Sequence, residues 1–410
     1  MSETYRPADA DQVQEIVAWA VAEERPLEIR GAGSKRALGR PMEVCSTLDL
    51  SGLTGLTYYE PGELVLAACS GTPLSVIEAK LGENAQRLAF EPADYGSILG
   101  GTAGQSTIGG VLACNISGPR RIQVGAARDH CLGVSGVSGR GEAFKSGGRV
   151  VKNVTGYDLS KLMAGSYGTL AALTEVTFKV LPMPEKTRTV LVFGLSVSEG
   201  ISVLGQASSS DLEPSGLSHL PAAAASRCSV GYVTQPGDSV SAIRIEGPAP
   251  SVEARCRSLR EMFEDRGSTE ELHGHNSSTL WREIADVDLL GEAGGDLWRL
   301  SVPPSTAAGV VDRIGAALPS TCDAEFLFDW AGGLVWLDIN AAKDAAHELV
   351  RDALAASGGH ATLIRASEEV RRTIPVFQPT SPGLAALNAR VKQGFDPRGL
   401  LNPGRMSAEY

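Results

Sequence analysis

Two glycine-rich stretches gather the residues best suited to holding an anion. In the first, Arg30-Gly31-Ala32-Gly33-Ser34-Lys35, the glycines let successive N–H groups point into one concavity. Ser34 adds a hydroxyl donor, and Lys35 or Arg36 adds charge. A plain glycine turn with a solvated basic edge is the alternative. In the second, "STIGGVLACNISGPRRIQVGAARDHCLG" (106–133), Thr107, Asn115 and Ser117 are short polar side chains set among Gly109, Gly110, Gly118, Gly125 and Gly133. A core built for stability would place bulky branched side chains there, whereas this tract leaves the backbone bare. Such a surface suits a flat polar aromatic ring and a diphosphate lying against the main chain. A tightly packed loop region without a ligand is the alternative.

Two standard phosphate motifs are excluded. A G-x-G-x-x-G fingerprint beginning at Gly31 fails because Arg36 occupies its third glycine position, and no G-x-x-x-x-G-K-[ST] loop exists. Catalytic residues are harder to assign. His273 and His275 form H-G-H, which can grip a metal only if both share a strand face, and which reads instead as a surface loop. His347 and His360 flank an expected helix and read as solvated. Arg244, Arg299, Arg365, Arg371 and Arg372 are candidates for clamping a carboxylate. No metal site and no catalytic set emerges.

The elements that must position these groups follow from periodicity. Helical spacing covers 8–24, and Leu27 to Arg30 reads as a short strand that breaks into the first glycine loop. A strand over 63–69 and a helix from Pro73 to about Leu81 repeat that plan. The alternating run 171–184 ends in prolines, a boundary signal. Beyond it, strands are expected at 187–194, 228–234 and 241–246, with helices at 198–207 and 250–266. A second round follows: strand 296–302, helix 305–317, strands 323–329 and 333–339, helix 341–356, strand 361–365. Each round is β-α-β-β-α-(β), the ferredoxin-like order, and two side by side would make one antiparallel sheet backed by helices. The expected domains are 1–183, 184–380 and a tail, 381–410.

Composition narrows the function. The 410 residues allow two or three domains. The net charge of −11 opposes a nucleic-acid surface, although a local arginine pocket can still attract a small anion. No apolar run approaches the length that spans a bilayer, and the acidic start does not resemble a secretory signal. Seven scattered cysteines with no C-x-x-C pair read as reduced thiols of a cytoplasmic protein, and supply no local iron–sulfur ligand set.

Four segments in the same order resemble the FAD-linked oxidases of the PCMH, or vanillyl-alcohol-oxidase, type. They are "RGAGSK", the tract 106–133, "GGRVVKNVTGYDLSKLMAGSYGTLAALTEVTFKVLP" (147–182) and the tail "VKQGFDPRGLLNPGR" (391–405). The overall layout is most similar to the FAD-binding subunits of bacterial glycolate oxidase. The resemblance implies an α+β fold, with a PCMH-type FAD-binding domain and a ferredoxin-like α/β cap. It implies that Arg30, Gly31, Ala32, Gly33, Ser34 and Lys35 wrap the pyrophosphate of FAD. Thr107, Gly109, Gly110, Asn115, Ser117 and Gly118 would run along the cofactor, and Arg128 and Asp129 match the "RD" that follows, or form a local ion pair. Lys152, Asn153, Tyr157 and Asp158 match K-N-x-x-G-Y-D, with Asp158 also suited to capping a helix. Asn402 and Arg405 would return to the FAD domain, unless Arg405 is a solvated terminal charge. With Ser34 and Lys35 where one relative attaches its flavin through histidine, noncovalent FAD is expected.

The implied activity is glycolate oxidation within a complex, with a catalytic flavoprotein subunit and an iron–sulfur subunit as partners and any membrane association made through them. A self-sufficient FAD-dependent D-2-hydroxyacid dehydrogenase and a non-catalytic scaffold flavoprotein are the alternatives.

Overall fold

The computed structural model describes residues 3–149, 156–291 and 294–409. The chain is α+β and divides into two compact units. One comprises 1–117, 125–183 and 379–410; the other comprises 118–124 and 184–378. The excursion of 118–124 into the second unit was not legible in the sequence.

In the first unit, Asp9 accepts a hydrogen bond from the Gln12 N–H and so starts helix Ala10–Ala22. That helix buries Val13, Val17 and Ala20, spaced at four and three residues, against Leu27, Ile29 and Leu48. Strand Leu27–Arg30 runs parallel to Ser46–Asp49, which runs parallel to Glu3–Tyr5. On its other edge the C-terminal tail takes up the pairing. The Leu27 N–H donates to the Leu400 carbonyl at 2.8 Å, and the Asn402 N–H donates to the Leu27 carbonyl at 3.0 Å. The strand that feeds the first glycine loop is therefore held on both sides. A five-stranded antiparallel sheet completes the unit, in the order Leu56–Glu60, Val65–Cys69, Ala171–Lys179, Cys131–Ser138, Ala143–Gly147.

The second unit is built on one eight-stranded antiparallel sheet. Its spatial order is Thr269–His273, Lys186–Phe193, Val240–Gly247, Gly216–Leu220, Asp323–Asp329, Leu334–Asn340, Asp296–Ser301, His360–Arg365. Each half is β-α-β-β-α-β in chain order and 4-1-3-2 in space, and the halves join where His219 pairs with Phe328. Helices Val197–Ser208, Ala249–Phe263, Ala307–Ala317 and His347–Ala355 bury apolar stripes in the shared core.

Three expectations need correction. The strand expected at 228–234 lies instead at Gly216–Leu220, and Gly231–Thr234 is a short helix. The run Val230 to Val233 misled because both valines are buried although Val230 caps, and Val233 lies within, a helical turn. Strand Thr269–His273 and helix Gly274–Asp286 were missed, since "TEELH" is too polar to signal an edge strand. The expected helix 341–356 begins only at His347, because Asp344, Ala345 and Ala346 all have positive φ. Among the described residues no helix is long and apolar enough to cross a membrane.

Candidate functional site

Strand Leu27–Arg30 ends in a cleft whose wall includes the whole Arg30–Lys35 loop. Gly33 has φ +85°, a conformation that suits glycine, and nothing stands within 4 Å of where its Cβ would be. Among the described residues, the N–H groups of Ala32, Gly33, Ser34 and Lys35 have no hydrogen-bond acceptor. Four successive unpaired donors on a cleft wall form an anion cradle. The Lys35 ammonium is buried; it donates to Ser106 Oγ at 2.8 Å and to Ser34 Oγ at 3.2 Å. Burial lowers the Lys35 ammonium from its ordinary range, with Cys114 and Asp94 opposing. Ser106 donates onward to Asp94 Oδ1 at 2.9 Å. Although burial raises the Asp94 carboxyl, bonds from the Gly104 N–H, Ser106 and the Gly96 N–H hold it below the usual carboxylate range.

The second tract plays a different part from the one its glycines suggested. Thr107 caps helix Ile108–Cys114, accepting from the Gly110 N–H at 3.4 Å. The Gly109 N–H donates to the Ser70 carbonyl at 2.8 Å, so neither glycine amide is left for a ligand. A Cβ on Gly109 would stand 2.6 Å from Ser70 Cβ; this glycine permits close packing of helix on strand end. Thr107, Gly109 and Gly110 still line the cleft with their atoms.

Several expected residues do not line it. Asn115 Oδ1 accepts from the Arg128 N–H at 3.0 Å, and Ser117 Oγ accepts from the Ala127 N–H at 2.9 Å. Asp129 accepts from the Ala126 N–H at 2.9 Å, so these three side chains brace one short helix, Ala127–His130, which contains Arg128. The Gly118 carbonyl accepts from Trp330 Nε1 at 3.2 Å inside the second unit. Tyr157 is exposed, and Asp158 caps helix Leu159–Met163 through the Lys161 N–H at 3.1 Å. Lys152 and Asn153 lie outside the described residues.

The tail delivers the other charge. Arg405 is 6% exposed and lines the cleft, so it is no solvated terminal group. Its Nη2 donates to the Lys35 carbonyl at 2.7 Å, whereas its buried Nε has no partner. Burial lowers its pKa, with Cys114 and Glu28 opposing, the expected cost of taking a guanidinium out of water. Asn402 works one step back. Its side chain accepts from the Ile29 N–H at 2.7 Å and donates to the Tyr167 carbonyl at 2.7 Å, pegging the tail to the strand that feeds the loop. Ser70, Ser106, Asp94, Cys114 and Tyr167 were missed by sequence reasoning as parts of the cleft or its support. The signal available for Asp94 was its place among Gly96, Gly100, Gly101 and Gly104.

In the second unit most of the arginine candidates are engaged. Arg244 is buried on Ser215 and over Trp281, Arg365 pairs with Asp338 at 2.6 Å, and Arg372 pairs with Glu368 at 2.8 Å. Arg371 is buried and donates to the Ala366 carbonyl. Arg299 lies over Trp330. His273 closes a strand and His275 lies in the first turn of the helix that begins at Gly274, so H-G-H is a strand–helix junction rather than a loop. Among the described residues no three His, Cys, Asp or Glu side chains come together as a metal-ligand set.

Comparison with known proteins gives this geometry its setting. The FAD binding domain family matches residues 2–147. The glycolate oxidase subunit GlcE of Escherichia coli (strain K12) is 37% identical over 96% of each chain. The glycolate oxidase subunit GlcD of Bacillus subtilis (strain 168) is 25% identical over 98% of this chain and 88% of its own. Among solved structures, an alkyldihydroxyacetonephosphate synthase superposes with a TM-score of 0.72 at 16% identity, over 98% of this chain and 75% of its own. That likeness extends the fold across both units. The chain belongs to the family of FAD-linked oxidoreductases that includes the GlcE subunit of glycolate oxidase.

Proposed function

We propose that this protein is the FAD-binding subunit of a glycolate oxidase complex, taking part in oxidation of glycolate to glyoxylate with electrons passed to partner subunits. One partner would be a catalytic flavoprotein subunit and another an iron–sulfur subunit. The observation that carries the reading is the run of free N–H groups from Ala32 to Lys35, set beside two buried cations in one cleft. Such a donor set fits a pyrophosphate, and the unpartnered Nε of Arg405 asks for an acceptor there.

Ala32 to Lys35 would hold the phosphates with their amides, and Lys35 and Arg405 would offset their charge. Asn402 would keep strand and tail in register under that load. FAD, when bound, supplies acceptance of a hydride or of single electrons. The loop holds Ser34 and Lys35 and no histidine, so attachment is noncovalent.

The test is dye-linked glycolate oxidation by the purified chain alone and with its partner subunits. The reading expects negligible turnover alone, with reduction of its flavin by glycolate once the partners are added. Full turnover by the chain alone would replace it with the self-sufficient dehydrogenase. A flavin that stays oxidised with partners and substrate present would leave the scaffold.

A further inference from the structure

Arg299 and Arg121, both in the second unit, lie over the same indole. Their guanidinium carbons stand 5.1 and 4.5 Å from the ring centroid of Trp330. Stacking on an aromatic face holds a guanidinium's plane while leaving its N–H edge available. Among the described residues Arg299 has no carboxylate and no hydrogen-bond acceptor. It is the one former clamp candidate without such a partner.

The platform beneath them is built at a cost. Trp330 has φ +53° and Ala331 φ +57°, a left-handed conformation that large side chains rarely adopt. Two bonds enforce it: the Trp330 N–H donates to Asp329 Oδ1 at 2.7 Å, and its indole N–H donates to the Gly118 carbonyl at 3.2 Å. Strain of this kind collects at ligand clamps. The segment carrying Arg121 is itself fixed, because Arg120 pairs with Glu246 at 2.9 Å. His360 is the cross-strand partner of Ser301, two residues along from Arg299. Partial burial, and then the charges of Arg299 and Arg121, lower its pKa, which marks a positive potential there.

We propose that Arg299, presented on Trp330 and within the field of Arg121, forms a receptor for the carboxylate of a small aliphatic acid. The site deepens the glycolate reading, on which its choice of substrate class rests, and would hold the acid end of a 2-hydroxy acid. Arg299 offers a planar fork that matches a carboxylate, and Trp330 keeps it aimed.

The test titrates glycolate into the full-length chain, following tryptophan fluorescence and, by NMR, the titration of the His360 ring. Chloride at equal ionic strength is the control. Saturable glycolate binding that raises the His360 pKa is expected, and Arg299→Gln should weaken it at least about tenfold. Trp330→Phe keeps an aromatic platform and should retain weaker binding. No saturable binding, or Arg299→Gln binding as the parent does, overturns the proposal. Flavin content is measured on the same samples. Flavin bound without glycolate binding sinks only the carboxylate site, whereas glycolate bound by a flavin-free chain sinks only the flavin reading.

Discussion

Replacing Lys392 with methionine isolates what fastens the tail, and hence Arg405, to the first unit. Lys392 is 4% exposed and Asp396, one turn on, is 1% exposed. The ammonium donates to Asp396 Oδ2 at 2.6 Å, to the Thr169 carbonyl at 2.7 Å and to the Leu401 carbonyl at 3.0 Å. Asp396 in turn accepts from the N–H groups of Leu400 and Leu401 at 3.0 and 2.8 Å. Burial lowers the Lys392 ammonium despite the carboxylate beside it, so the pair survives by mutual compensation. Removing one member leaves Asp396 buried and uncompensated, at about 3–5 kcal/mol. The double variant Lys392→Met/Asp396→Asn removes both charges but keeps one acceptor for the Leu400 and Leu401 amides. It should recover all but about 1–2 kcal/mol. Urea unfolding gives the global figure, and hydrogen exchange at Leu400 and Leu401 gives the local one. A single variant losing under about 1 kcal/mol, or a double variant no better than the single, would refute the reasoning.

Other expectations follow from buried titratable groups and from the loop. His219 is wholly buried against Ser241, and burial pushes its pKa down to about 4. The unfolded imidazole therefore binds a proton between pH 6.5 and 4 while the folded one does not. Stability is lost as pH falls through that window, on the order of 3 kcal/mol, and His219→Asn should flatten the slope in urea titrations at pH 7 and pH 4. Asp296 acts in the opposite sense: burial, then the Asp338 carboxylate, push it up to about 6. The folded state takes up that proton first, so Asp296→Asn should stabilise at pH 7, by up to on the order of 3 kcal/mol, and give nothing at pH 4. A gain of equal size at both pH values would show another cause. In the loop, a Cβ at Gly31 would stand 2.5 Å from Thr107 Oγ1. Gly31→Ala should displace Thr107 from its cap, costing about 1 kcal/mol, and lower flavin content by absorbance more than it lowers the melting temperature.

The sequence carried the second unit's plan well where strands alternate or run apolar, as at Lys186–Phe193 and Asp323–Asp329. It failed at Gly216–Leu220, because "GLSHL" is buried on both faces and shows no alternation. The Arg30–Lys35 loop was legible because its glycines follow a strand directly. The 106–133 tract was misleading in detail: glycine signals close approach, but the approaching partner at Gly109 is Ser70 of the same chain. Nor can spacing show that Asn115 and Asp129 hold backbone N–H groups, since any short polar side chain at those positions reads alike. Burial of Arg405 depends on contacts some 370 residues away, which no local pattern records.

The most direct test of the account is the visible spectrum of the purified chain after incubation with FAD, read again after acid precipitation. It is run beside Lys35→Met and Arg405→Gln, which remove the two buried cations of the cleft. The account predicts flavin bands that pass to the supernatant on precipitation, and much weaker FAD retention in both variants. A parent chain that stays colourless, or variants that hold FAD as tightly as the parent, would contradict it.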